Sequence, residues 1–200
     1  MPLEPKCIEK HRSKTHLECN ACSDNQGYTL TNLRQIDDLS EKIVNAAIEF
    51  PEWKPYHAKL EYTITLTVHE TCTNAIEHGI LGLDKQRKKQ LLAELEEKYV
   101  AYVEAEWKRK GIGIHISVCL NADRILIGVH DEGDGFDFSQ EGFAAVKESD
   151  LLDFSGRGLA MMEGMGVKLQ WNRRGNSVLC SFQRPDLTAK KKILNPASTQ

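Results

Sequence analysis

The chain has 200 residues, 40% hydrophobic and 28% charged, with a formal net charge of −3. That balance describes one soluble globular domain with room for an arm or an insertion. It argues against direct nucleic-acid binding, which usually needs a basic surface, and no apolar run approaches the roughly 20 residues that span a bilayer.

The N-terminal segment Met1–Lys10 has no signal-peptide apolar region, so a cytoplasmic chain is expected. In a reducing compartment its six cysteines read as thiols or metal ligands rather than a disulfide framework. Residues 1–26 form a polar arm, Cys7-x₃-His11-x₄-His16-x₂-Cys19-x₂-Cys22. Cys19 and Cys22 have zinc-knuckle spacing, and with Cys7, His11 and His16 they offer more ligands than tetrahedral Zn²⁺ takes. The other reading is a set of thiols on a polar tail, and both stand at this stage.

A domain over 27–185 follows. Residues 27–32 alternate as a short strand, and Leu33, Ile36, Leu39, Ile43, Ala46 and Ala47 recur at helical spacing over 33–50. Pro51 and Pro55 punctuate, and a long helix is expected from about His57 to Ile80. On it Ile64, Val68, Cys72, Ala75 and Ile76 share one side, while Glu70, Asn74 and His78 form a polar stripe roughly 140° away.

The insertion 84–110 is a charged helical stretch with Leu92, Leu95, Tyr99, Val103 and Trp107 on a three/four repeat. It reads as an amphipathic surface helix. A sharper reading makes it a partner or homodimer surface, because Tyr99 and Trp107 are residue types that interfaces favour. Strands are expected over 112–120 and 125–130, joined by a turn at 121–124, and then the glycine segment 131–136. Residues 137–155 read as loop, 156–166 as a helix, and 167–171 and 177–183 as strands, before a tail over 186–200. The sum is α+β: a mixed or antiparallel sheet covered on one face by helices.

Chemistry concentrates in three places. A helix-borne Asn74 offers a neutral, hard oxygen ligand for Mg²⁺, and Glu70 one turn earlier could hold a metal-bound water or take a proton from a hydroxyl. Asp131 ends a strand, where it could accept from an exocyclic amine, and Gly133 and Gly135 let backbone approach a flat ligand. Gly156-Arg157-Gly158-Leu159 opens a helix whose free N–H groups suit phosphate. Other motifs fail: Thr73 stands where a zinc protease needs its second His, no apolar strand precedes Gly156, and no P-loop or EF-hand spacing occurs.

Glu70-x₃-Asn74-x₃-His78-Gly79, Asp131-x-Gly133-x-Gly135-Phe136 and Gly156-x-Gly158-Leu159 resemble the N, G1 and G2 boxes of the GHKL (Bergerat-fold) ATPases. Within that superfamily the chain looks most like the RsbW/SpoIIAB-type anti-sigma factor serine kinases. The resemblance covers about residues 27–185 and implies a Bergerat-type two-layer sandwich binding ATP and Mg²⁺. It implies that Glu70 is the base or water-orienting residue, Asn74 the Mg²⁺ ligand and Asp131 the adenine contact. Gly133, Gly135 and Phe136 would belong to the adenine box, with His78 at the pocket rim. Gly156, Arg157, Gly158 and Leu159 would belong to the phosphate box, and 137–157 would be a lid. Partners implied are a sigma factor and a small antagonist protein phosphorylated on serine. The alternative is a regulatory module that binds ATP and transfers nothing.

Three departures stand out. Phe154 occupies a position where some members carry a phosphate-reaching arginine; the 84–110 insertion is longer than the turn expected there; and the Cys/His arm is outside the pattern.

Overall fold

The computed structural model describes residues 24–135 and 157–187. The arm with Cys7, His11, His16, Cys19 and Cys22, most of the lid with Phe154, and the tail lie outside the described residues, as do Phe136 and Gly156.

Strand β1 (Asp24–Leu30) begins earlier than its apolar alternation suggests, because it pairs along its whole length with β2 (Ile114–Leu120). Helix α1 (Arg34–Ile48) starts on a reciprocal pair: Gln35 N–H donates to Asn32 Oδ1, while Gln35 Oε1 accepts from the N–H of Asn32. That satisfies two donors which the first turn leaves open. Ile36, Leu39, Ile43 and Ala47 are buried at the expected spacing.

Helix α2 (His57–Asn74) keeps α geometry only as far as Asn74 and continues as a π-helical turn, Ala75–Ile80. A single α-helix to Ile80 was the expectation. The wider turn arises because Leu81 N–H donates to Ile76 O at 2.8 Å and Leu83 N–H to Glu77 O at 2.8 Å.

The insertion is two helices, α3 (Lys85–Leu95) and α4 (Tyr99–Lys110), broken at Glu96, whose φ is +46°. The break resets the helical phase. Leu91 is therefore buried and Leu92 exposed, reversing the inward place that the repeat assigned to Leu92. Tyr99 and Trp107 are also buried, with Trp107 Nε1–H donating to Ile112 O at 2.7 Å. They hold the insertion to the domain and are not presented to a partner.

β3 (Arg124–Asp131) follows a turn in which Asn121 Oδ1 accepts from the N–H groups of Asp123 and Arg124. Helix α5 (Arg157–Gly164), β4 (Lys168–Trp171) and β5 (Ser177–Gln183) complete the chain. The five strands run in the order β1-β2-β3-β5-β4, every neighbour antiparallel.

Ile114, Ile116, Val118, Ile125, Ile127, Val129, Val178 and Phe182 share one sheet face and one core with α1 and α2. This is an α+β two-layer sandwich. Ser117, Cys119, Leu126, Leu179 and Ser181 alternate to the other face and are buried as well. Burial pushes the free Cys72 thiol up to about 12 and that of Cys180 upward too. Cys119 is disulfide-bonded, where thiols or metal ligands were expected. Among the described residues no helix is long and apolar enough to cross a membrane.

Candidate functional site

The last turn of α2 meets the end of β3. Asp131, only 3% exposed, lies beneath the backbone of Gly79, and a Cβ added at Gly79 would come within 2.5 Å of its Oδ1. Gly133 folds over both: its N–H donates to Asp131 Oδ1 at 2.9 Å, and a Cβ there would lie 1.9 Å from the Gly79 carbonyl oxygen. Only glycine fits that contact, because the colliding atom is backbone and cannot rotate away.

The β4–β5 turn clamps the strand end. Asp131 N–H donates to Asn176 O at 3.0 Å, and Asn176 Nδ2–H donates back to Asp131 O at 3.1 Å. Asn172 Nδ2–H in turn donates to Asn176 Oδ1 at 2.7 Å. Gly135, at φ +78°, packs on the Arg174 carbonyl, where a Cβ would lie 1.9 Å away. Burial pushes the Asp131 carboxyl up to about 6, against the lowering effects of the Gly133 N–H and the Arg174 charge. Oδ1 is taken by Gly133, which leaves Oδ2 as the other acceptor of this carboxyl.

At the other end, Gly158 in the first turn of α5 lies on the Glu70 side chain; a Cβ there would be 1.9 Å from Cδ and Oε2. Thr63 Oγ–H donates to Met165 Sδ at 3.7 Å. Gly158 therefore sits opposite Glu70 and Met165 opposite Thr63, so α5 runs antiparallel to α2 with its N-terminus at the carboxylate. The open N–H groups and the positive end of the helix dipole gather there. Burial raises the Glu70 pKa, Lys88 lowers it, Glu77 raises it and His69 lowers it, in that order of size. Asn74, partly buried, is one turn on, and no described residue bonds its side-chain amide.

His78 Nδ1 contacts Leu83 O at the helix end. Glu77, just before it in the π turn, is a further acid of the site. It is buried, accepting from Lys88 Nζ–H and, at 2.8 Å, from the Tyr99 hydroxyl. Burial, together with charge repulsion from Glu77, holds the Tyr99 hydroxyl well above its ordinary range. Leu159 packs against the core, and Arg157 takes part through its backbone in α5. Lys88, Tyr99 and Asn176 carried no signal for this site in the sequence, because their partners lie 11, 22 and 45 positions away.

The donor set fits a nucleotide with Mg²⁺. Asp131 has Oδ2 as a second acceptor beside the Oδ1 that Gly133 takes, Asn74 is a hard neutral ligand whose amide no described residue bonds, and the start of α5 supplies N–H groups for phosphate. When bound, Mg²⁺ would neutralise phosphate charge and orient the triphosphate. Among the described residues no group of three or more His, Cys, Asp or Glu is placed to hold a metal by itself.

No curated protein matches the chain. A family model described as the histidine kinase-like ATPase domain matches residues 35–182, well over half of the chain. That span contains all of α1 but its first residue, both ends of the site and the whole insertion. The chain belongs to the histidine kinase-like ATPase domain family, the GHKL ATPases, whose domains bind ATP with Mg²⁺.

Proposed function

We propose that the chain is an ATP-dependent serine kinase of the anti-sigma factor type, which holds a sigma factor and phosphorylates a small antagonist protein on serine. The observation that carries this reading is the juxtaposition of Glu70 with the start of α5, one turn from Asn74. Asp131 Oδ2 would accept from the adenine amine, and Asn74 would hold the Mg²⁺ that ATP brings. The α5 N–H groups would face the phosphates. Glu70, made a stronger base by burial, would accept the proton of the incoming serine Oγ as that oxygen attacks the γ-phosphorus and the bond to the bridging oxygen breaks, releasing ADP.

A second reading is a module that binds ATP to shape a protein-binding surface and transfers nothing. Phe154, standing where some relatives of this type carry an arginine, favours it. Incubation with labelled ATP and a serine-bearing antagonist domain separates the two. The kinase reading expects label on serine, lost in Glu70→Gln while ATP binding is kept. ATP binding without label transfer leaves the binding module.

A further inference from the structure

We propose that Lys88 is a phosphate-chain ligand which the insertion contributes to the nucleotide site, held on Glu77 when that site is not engaged. The inference rests on the nucleotide reading of the Glu70–Asn74–Asp131 cluster.

Lys88 lies in the first turn of α3, nine residues beyond Gly79 and outside the three glycine-bearing boxes, and its ammonium ends on the buried Glu77 carboxylate. Its position is fixed from several sides. Leu83 N–H donates to Glu77 O and the His78 ring contacts Leu83 O, so the connection into α3 is tied back onto the π turn. Asp84 then caps α3 by accepting from Arg87 N–H at 2.7 Å, and Leu91 anchors the helix in the core. The Lys88 side chain is 21% exposed against 4% for Glu77, so the cation stands at the open side of the pair.

Glu77 lies in the π turn that carries Gly79 over Asp131, and the charges of both Glu77 and Lys88 act on Glu70, which places the Lys88 ammonium beside the run between Asp131 and the α5 N-terminus. Of the charges acting on Glu70, that of Lys88 is the largest. A lysine ammonium has three donors, and the Glu77 bond uses one. The Tyr99 hydroxyl keeps a donor on Glu77 if Lys88 turns away. A polyanion threaded between Asp131 and Gly158 would therefore meet a cation already in place.

The test compares adenosine, which lacks phosphates, with Mg-ATP by calorimetry on the full chain. Lys88→Met should weaken Mg-ATP about tenfold or more, as loss of a charge-assisted bond does, and leave adenosine unchanged. Lys88→Arg should keep most of the ATP affinity. Glu77→Gln combined with Lys88→Met strands no buried charge, so it should fold normally and show the same selective loss. The proposal is overturned if ATP and adenosine weaken in parallel, or if neither changes. Failure of the unaltered chain to bind either ligand overturns the nucleotide reading itself, and this inference with it.

Discussion

The Asp131 carboxyl makes adenine recognition pH-dependent in a way that can be measured without phosphate chemistry. Its pKa is pushed up to about 6 by burial, so the acceptor is mostly ionised at about pH 7 and mostly protonated at about pH 5. If only the carboxylate accepts from the exocyclic amine, adenosine affinity should fall roughly tenfold between those values.

Stability moves the other way. A carboxyl raised from 3.8 to about 6 on folding holds a proton that the unfolded chain has released, so its contribution declines as pH rises through that window. The gap corresponds to about 3 kcal/mol at most. Adenosine titrations and urea denaturation at both pH values test the two slopes. Asp131→Asn should bind weakly at both and lose its share of each slope, because an amide offers the adenine amine a donor. A flat adenosine profile in the unaltered chain, or an equal slope in Asp131→Asn, would refute the assignment.

Three further outcomes follow from packing. Gly158→Ala pushes against the mobile end of Glu70 and should lower phosphoryl transfer with little change in Tm, whereas Gly133→Ala meets the Gly79 backbone and should cost several degrees. Tyr99→Phe removes a hydroxyl donor from buried Glu77 and should cost about 1.5–3 kcal/mol in chemical denaturation. Leu91→Ala should cost about 2–4 kcal/mol, and Leu92→Ala no more than about 0.5, which measures the phase reset at Glu96 directly.

The core halves of α1 and α2 were legible because burial imposes a local period, and Ile36, Leu39, Ile43, Ile64 and Val68 obey it. The glycine boxes were legible because a close backbone approach admits one residue type, as Gly133 and Gly135 show. What stayed hidden depends on partners far along the chain. Asn176 reads as an ordinary turn residue until its bonds to Asp131 are seen, 45 positions away. Glu77 reads as an exposed helix acid until Lys88 and Tyr99 close over it. The end of α2 was hidden for a different reason: the period itself changes at Ala75, and a constant angle per residue no longer applies.

That change of period has an architectural effect. A π turn holds one more residue than the α turn it replaces, so every residue after Ile80 leaves at an azimuth about 100° from the one a regular helix would set. Deleting one residue between Ala75 and Ile80 would remove no catalytic group, yet it would swing α3 and α4 to another side of α2. The irregular turn thus works as a coupling of fixed angle: it decides which flank of the ATPase domain the insertion guards.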